Sequence, residues 1–115
     1  MSLKVFHNTR CKKSRAGLEY LKEKTNDYEI VEYLKEGLSK KDLEEILLKT
    51  NLRPEDLVRT QEAYFKKELK GKNFNRDEWV TIISENPKLL QRPVVVGKHK
   101  AVIGDPAENI DAMFK

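Results

Sequence analysis

Residues 3–33, LKVFHNTRCKKSRAGLEYLKEKTNDYEIVEY, carry the pattern that decides the fold. Residues 3–6 alternate in polarity, which predicts a short strand, and the polar run 7–10 predicts a turn after it. From Lys12 the apolar residues recur every three or four positions, as in an amphipathic helix. Residues 28–33 again have strand character. The stretch therefore predicts a β-α-β unit with parallel strands and a right-handed crossover.

The rest of the chain divides into two parts with different patterns. Residues 38–86 predict an all-helical block. Its first helix is capped by Ser39 and Asp42 and carries Leu43, Ile46 and Leu47, and further helices are expected near residues 54–59, 61–69 and 76–85. Asn86-Pro87 ends this block. The run Val94-Val-Val96 predicts a buried strand, and a tight turn then joins it to residues 101–103 as a hairpin. A last helix is expected after Gly104-Asp-Pro106, reaching Phe114.

This order of elements predicts the α/β class. A β-α-β half and a β-β-α half combine into one four-stranded mixed sheet with helices on both sides, which is the thioredoxin-like fold. We expect one such domain over residues 1–115, because a chain of 115 residues is too short for two independent cores. The helical block at residues 38–86 is then an insertion between the two halves.

Composition excludes several classes of function. The net charge of +4 is spread along the chain in mixed signs, which is typical of a solvated surface and does not predict nucleic-acid binding. No apolar run is long enough to cross a bilayer, and no export signal is recognisable, so we expect a cytoplasmic protein without a membrane partner. A monomer is the default expectation. One cysteine and two histidines cannot form a four-ligand zinc site, and no metal is expected.

The single cysteine, Cys11, is the main candidate for chemistry. It is expected at the start of the first helix, where backbone N–H groups are unpaired and the helix dipole favours an anion. Cationic residues flank it: His7, Arg10, Lys12, Lys13 and Arg15. A lone cysteine is often a small buried core residue, but cationic neighbours on both sides make a core position unfavourable. We therefore interpret Cys11 as a nucleophile whose pKa is lowered.

Ser14 stands where a dithiol enzyme would have its second cysteine, three residues after Cys11. Its hydroxyl can donate to the thiolate, or it can bond to the backbone of the first helical turn. The His7 ring can favour the thiolate, or it can satisfy its own hydrogen bonds within the turn. In either case the arrangement has one thiol, so any resolving thiol must come from another molecule.

Residues 7–15, HNTRCKKSR, closely resemble the signature His-Asn-Pro-x-Cys-x-x-Ser-Arg of ArsC-type arsenate reductases, the class that depends on glutathione and glutaredoxin. The resemblance spans nearly the whole chain. Further matching segments follow in the order of that family: Tyr33-Leu34, residues 56–59 with Tyr64, residues 86–89, residues 91–96, and residues 103–108. The chain is therefore identified as a member of the ArsC/Spx-like family by resemblance.

The resemblance implies a role for each matching residue near the cysteine. Cys11 would attack the arsenic of bound arsenate, and His7, Ser14 and Arg15 would stabilise its thiolate. Glutathione would then add as co-substrate, and glutaredoxin would release arsenite. No bound cofactor is implied.

The same resemblance implies an oxyanion site. Arg59 and Arg92 match the arginines that hold the oxyanion, and guanidinium groups can bind its oxygens in a bidentate manner that lysine cannot. Taken alone, Arg59 would be interpreted as a solvated side chain and Arg92 as a cap on nearby carbonyls. Pro93 occupies the place of the cis-proline of thioredoxin-like folds, next to the cysteine.

Two positions depart from the family pattern. Thr9 replaces the signature proline, which we expect to loosen the turn. Asp105 stands where authentic arsenate reductases have a third anion-binding arginine. Its carboxylate would repel arsenate, or would pair with Arg92 or Arg59, and Lys98 or Lys100 on the hairpin are candidates to replace the missing charge.

Two alternatives to arsenate reduction therefore stay open. One is an Spx-like regulator that binds RNA polymerase, although the Cys-x-x-Cys switch of such regulators is absent, because Asn8 and Ser14 occupy the positions three residues before and after Cys11. The other is a family member that acts on other thiol substrates without arsenate activity. Asp105 is the feature that supports the second alternative.

Overall fold

The computed structural model describes residues 2–115, so Met1, the first residue of the predicted domain, lies outside the described residues. Four strands form one sheet in the order β2-β1-β3-β4. β1 and β2 are parallel, whereas β3 is antiparallel to both β1 and β4. The predicted four-stranded mixed sheet is confirmed, with strands at Leu3–Phe6 (β1), Tyr28–Val31 (β2), Val94–Val96 (β3) and Ala101–Ile103 (β4).

Helices connect these strands. α1, Lys12–Lys22, joins the two parallel strands, as a right-handed crossover requires. Between β2 and β3 lie α2 (Tyr33–Glu36), α3 (Lys40–Thr50), a 3-10 turn (Pro54–Leu57), a π turn (Phe65–Leu69), α4 (Arg76–Glu85) and a second 3-10 turn (Pro87–Leu89). Among the helices that the structure describes, none combines the length and the apolar character needed to cross a bilayer.

The two longer helices of this block start at strong capping sequences. The Ser39 hydroxyl accepts from the Asp42 backbone N–H, and the Asp42 carboxylate accepts from the Ser39 N–H. Asn75 and Glu78 form the same reciprocal pair before α4. Each capping box satisfies two backbone donors that the helix itself leaves free, which fixes where α3 and α4 begin.

The two central strands, β1 and β3, are largely buried on both faces. Leu3, Val5 and Val95 pack against α1 and the C-terminal segment, whereas Phe6 and Val94 pack against the helical block. Successive side chains of a strand point to opposite faces, so one alternating sequence supplies both cores. Residues 94–96 are all buried, as their three valines predict.

The second strand is shorter than expected. Residues 28–33 were predicted to be extended, but β2 ends at Val31 and Tyr33 begins the short helix α2. The Glu32 backbone N–H donates to Glu36 Oε2 at 2.9 Å, which closes the chain into a turn. As a result the Tyr33 side chain turns inward and is fully buried.

Three predicted helices also differ in their winding. The one expected near residues 54–59 is a 3-10 turn that ends at Leu57. Of residues 61–70, all of which the structure describes, only Leu69 is buried, so few packing contacts hold a regular α-helix. The segment instead closes as a π turn, with the Lys70 N–H donating to the Phe65 carbonyl at 2.8 Å. The last helix lies where predicted, but residues Ala107–Phe114 wind as a tighter 3-10 helix.

Gly17 allows the β3 entry to approach α1. A Cβ atom at Gly17 would lie 2.5 Å from Pro93 Cγ and 2.9 Å from the Gly104 carbonyl oxygen. Both distances are too short for a carbon atom, and the carbonyl belongs to the backbone. The missing side chain therefore brings Pro93, and Arg92 with it, close to the helix that carries Cys11.

We expect Gly17→Ala to destabilise the protein by about 1–3 kcal/mol, because the clash with Pro93 and Gly104 is an overpacking defect. Helix propensity alone would stabilise this variant by about 1 kcal/mol. Ala16 is an exposed neighbour in the same helix, so Ala16→Gly measures the effect of helix propensity alone. This variant should be destabilised by about 1 kcal/mol. Urea unfolding of both variants measures the difference, and a stabilised Gly17→Ala would refute the close-approach argument.

Candidate active site

One row of paired residues across the sheet positions the whole site. Phe6 pairs with Val31 of β2 and with Val94 of β3, and Val94 pairs with Ile103 of β4. Parallel and antiparallel pairing together place the ends of β1, β2 and β4 beside the start of β3. The residues just beyond that row therefore meet at one edge: Tyr33, His7 through Cys11, Arg92 with Pro93, and Asp105.

Cys11 is the N-cap residue of α1. Its backbone is extended (φ −92°, ψ 123°), and its carbonyl accepts the first helical hydrogen bond, from the Arg15 N–H, at 2.9 Å. The side chain is half-buried. The side chain forms no capping hydrogen bond of regular geometry with the described residues. The free backbone N–H groups of the first helical turn and the helix dipole nevertheless favour a negative charge on the sulfur.

The pKa of the Cys11 thiol is lowered. Partial burial by itself raises this pKa, but the Arg92 guanidinium and the backbone N–H groups of Ser14 and Lys13 lower it by more. Both a charge and fixed backbone dipoles thus favour the thiolate, which is the nucleophilic form. Among the cationic side chains considered from the sequence, Arg92 lowers the pKa of Cys11 the most, although it is distant from Cys11 in the chain.

His7 does not act as a cation. Its side chain is 3% exposed, and burial lowers its pKa against a weaker raising effect of Glu32, so the ring is neutral at pH 7. His7 Nδ1 lies 2.8 Å from Ser14 Oγ, and the Asn8 backbone N–H donates to the same oxygen at 3.1 Å. Because that oxygen accepts from Asn8, its own proton is free to be donated to His7.

The Ser14 hydroxyl is therefore engaged with His7 and Asn8 rather than with the sulfur. The backbone N–H of Ser14 is the group that acts on Cys11. Arg15 likewise holds the loop, because its Nη1 donates to the Thr9 carbonyl at 3.0 Å. These side chains fix the conformation of the cysteine loop, in which Thr9 replaces a proline.

Arg59 reaches the site through a short antiparallel contact. Val58 forms a bridge with Leu90, and the Arg59 N–H donates to the Leu89 carbonyl at 2.7 Å. The Arg59 guanidinium is 14% exposed and pairs with the Glu62 carboxylate at 2.6 Å. Some hydrogen-bond donors of the Arg59 guanidinium are therefore already engaged by a carboxylate. Glu62 was not identified from the sequence, although its position three residues after Arg59 was a usable signal.

Arg92 lies beside the sulfur, immediately before a cis peptide bond to Pro93. Its Nη1 donates to the Lys88 carbonyl at 3.1 Å, so one end of the guanidinium caps the preceding turn. The buried Nε has no hydrogen-bond partner among residues 2–115. Arg92 therefore caps a carbonyl and also lies beside the sulfur.

Asp105 pairs with neither arginine. Its carboxylate lies 3.5 Å from Lys13 Nζ. The hairpin lysines do not replace the missing charge. Val96, which precedes the hairpin turn, pairs with Lys4 at the far end of β1, and Lys98 lies at that end of the sheet. Lys100 donates to the Ala112 carbonyl at 3.4 Å.

Tyr33 is the other residue that sequence reasoning did not assign to the site. It is 0% exposed, and its hydroxyl lies close enough to Arg92 for that side chain to act on it as a hydrogen-bond donor. Burial raises the pKa of this hydroxyl, whereas the charge and the hydrogen bond of Arg92 and the charge of Arg59 lower it. The matching Tyr33-Leu34 pair was visible in the sequence, but a predicted strand does not by itself show that the Tyr33 hydroxyl is buried.

We expect Arg92→Gln to raise the pKa of Cys11, because the variant removes the nearest positive charge. Less thiolate at pH 7 should slow alkylation of Cys11 by iodoacetamide severalfold, with the rate recovering at higher pH. The pH profile of alkylation measures this shift. Exposed Arg10→Gln removes a cation next to Cys11 in sequence and should leave the profile near that of the wild type. Equal profiles for both variants would contradict the assignment.

Comparison with known proteins agrees with this geometry. A family model described as the ArsC family matches residues 6–113. An arsenate reductase from Neisseria meningitidis serogroup A is 36% identical over 114 residues, which cover 97% of this chain and 97% of that protein. The Global transcriptional regulator Spx from Streptococcus agalactiae serotype V is 30% identical over 107 residues, covering 92% of this chain and 76% of that protein.

The solved structures give the same relationship at the level of the fold. An arsenate reductase from Vibrio cholerae superposes with a TM-score of 0.90 at 28% sequence identity, and the match covers 97% of each chain. The predicted thioredoxin-like α/β fold is thereby confirmed.

Proposed function

Because this chain belongs to the ArsC family, we propose that it is a monothiol oxidoreductase that reduces arsenate or a related tetrahedral oxyanion through Cys11. One observation carries the proposal: the half-buried Cys11 sulfur has a lowered pKa and lies beside the Arg92 guanidinium at the start of α1. A reactive thiol needs these two conditions, since it must be both ionised and accessible.

The proposed reaction starts with attack of the Cys11 thiolate on arsenic. An S–As bond forms, and one protonated oxygen leaves as water. A glutathione thiol displaces a second oxygen as water, forming an As–S bond. A glutaredoxin thiol then attacks the glutathione sulfur, so that a mixed disulfide forms and the As–S electron pair stays on arsenic, now As(III). Water finally cleaves the Cys11–As bond, which releases arsenite and regenerates the thiol.

The arginines make the first step feasible. Arsenate and a thiolate are both anions, so their approach is opposed by charge repulsion until a fixed cation compensates it. Arg92 is held in place through its Nη1 bond to Lys88 and lies beside the sulfur. Arg59 supplies a second guanidinium, provided that the oxyanion competes with Glu62 for its donors.

We propose that glutathione binds in an open groove whose lining includes sequence neighbours of Cys11 and Arg92. The groove, of about 720 Å³, includes Lys13, Gln91 and Asp105 in its lining and continues toward Asp111 and Lys115. Lys13 and Gln91 are close sequence neighbours of Cys11 and Arg92. The groove presents both positive and negative side chains, which suits a zwitterionic peptide with two carboxylates and one ammonium group.

We expect arsenate to protect wild-type Cys11 from alkylation at pH 7, and turnover to require both glutathione and glutaredoxin. Cys11→Ser should abolish turnover, because an alcohol is not ionised at this pH. Lys98→Ala, at the far end of the sheet, is the matched surface control and should retain wild-type activity. A wild-type enzyme that shows neither protection nor turnover would exclude arsenate reduction.

A second candidate is a thiol oxidoreductase that acts on glutathionylated or other thiol substrates without arsenate activity. Asp105 and Glu62 favour it, because both place carboxylates near the anion site. The Spx-like alternative is less favoured, since a disulfide switch needs two cysteines and the chain has one.

Asp105→Asn distinguishes the two candidates. The variant removes an anion and frees the Lys13 ammonium, so arsenate protection should tighten by about threefold at low ionic strength and lose this gain in high salt. Asp77→Asn, exposed in the first turn of α4, is the control for a general change of net charge. Protection that is unchanged by Asp105→Asn would favour the thiol-substrate candidate.

A further inference from the structure

The Arg59–Glu62 ion pair brings a carboxylate to a guanidinium that is expected to hold an oxyanion. Arg59 Nη1 donates to Glu62 Oε2 at 2.6 Å, and the Glu62 backbone N–H donates to the Arg59 carbonyl at 3.2 Å, so one turn of the chain holds both residues. The side chains are 14% and 23% exposed. A ligand that reaches Arg59 therefore also reaches the neighbouring carboxylate.

Consecutive backbone carbonyls hold the two arginines of the site. The Arg59 backbone N–H donates to the Leu89 carbonyl at 2.7 Å, and Arg92 Nη1 donates to the Lys88 carbonyl at 3.1 Å. A single 3-10 turn thus provides an acceptor for each of them. The two arginines are neighbours in space, although they are more than thirty residues apart in sequence.

Arg59 also belongs to the surroundings of the sulfur. The charges of Arg92, Arg59 and Cys11 all act on one hydroxyl group, that of Tyr33. The two guanidinium groups and the thiol therefore lie around one region of the structure. Because Glu62 contacts Arg59 directly, its carboxylate lies at the margin of that region.

The chemistry of this pair depends on whether the oxyanion has a proton. A guanidinium group has five N–H donors, so Arg59 has donors left for an oxyanion while it contacts Glu62. An ionised carboxylate can only accept hydrogen bonds, and an O–H group that donates to it forms a strong, charge-assisted bond. An oxyanion without a proton would instead bring its lone pairs and negative charge against the carboxylate.

We propose that Glu62 is a specificity-determining residue, whose carboxylate accepts a hydrogen bond from the protonated oxygen of a tetrahedral oxyanion held by Arg59. At pH 7 arsenate and phosphate keep at least one proton, whereas sulfate and selenate have none. Glu62 then admits the first class and rejects the second by an unpaired repulsive contact, which is a general route to specificity. This inference rests on the proposed reduction of an oxyanion at Cys11.

The test compares the oxyanions in pairs of similar size, phosphate with sulfate and arsenate with selenate. Each is characterised by the concentration that halves the rate of Cys11 alkylation at pH 7 and constant ionic strength. In the wild type, the protonated member of each pair should protect at a concentration at least about tenfold lower, the effect of one hydrogen bond to a charged group. Equal protection within both pairs would refute the proposal.

The variant Glu62→Gln isolates the carboxylate. An amide has both a donor and an acceptor, so it can contact an oxygen with or without a proton. The preference within each pair should therefore fall below about threefold, chiefly because sulfate and selenate protect the variant better than the wild type. Glu85→Gln makes the same change of charge at an exposed residue that lines the same cleft as Glu62, and it should keep the wild-type preference.

The preference within a pair is a ratio measured on one protein. A change in the thiol pKa or in stability would shift both values of a pair together, so it cannot imitate a change in preference. If Glu62→Gln weakens protection by every oxyanion and keeps the wild-type preference, Glu62 only holds Arg59 in position and the assignment is wrong.

Failure of this inference is distinguishable from failure of the proposed function. If arsenate and phosphate protect wild-type Cys11 but sulfate and selenate protect it equally well, the oxyanion site stands and Glu62 does not select among its ligands. If none of these oxyanions protects the thiol, the oxyanion site is excluded and the role of Glu62 is excluded with it.

Discussion

The antiparallel pairing of Phe6 with Val94 is the constraint on which the site depends. β1 ends where β3 begins, so the cysteine loop and the Arg92-Pro93 segment, some eighty residues apart in sequence, meet at one sheet edge. The bare backbone of Gly17 then lets Pro93 contact α1 closely. Without this pairing, Cys11 would have helix amides but no guanidinium beside it, and the charge that most directly favours its thiolate would be missing.

The site contains fewer uncompensated positive charges than the basic sequence around Cys11 indicates. His7 is neutral, Lys13 pairs with Asp105, and Arg59 pairs with Glu62. Among the described residues Arg92 has no carboxylate partner. A single uncompensated guanidinium is enough to favour one thiolate, whereas an incoming oxyanion has to displace or share the remaining pairs. The site therefore favours ligands that bring several acceptor oxygens, because each of them can replace part of a carboxylate contact.

Local sequence predicted the strands, the crossover helix and the capped helices, since those depend on periodicity and on capping boxes such as Ser39 with Asp42. It also located Cys11 at a helix start. The position of the Ser14 hydroxyl, the Asp105 pair and the inward turn of Tyr33 could not be predicted in the same way. Each depends on which side chain lies opposite across the fold, which local periodicity does not specify.

The burial of the Tyr33 hydroxyl beside Arg92 is informative because stability alone does not account for it. A phenylalanine would fill the same interior without burying a polar atom. Local consistency between sequence and structure tends to fail at functional sites, where selection for binding opposes selection for stability. The same reasoning applies to the half-buried Cys11 thiolate. Partial burial disfavours the charged form, whereas Arg92 and the backbone N–H groups of the first helical turn stabilise it. The least favourable groups of the fold thus lie together, at the end of the sheet where an anion is expected to bind.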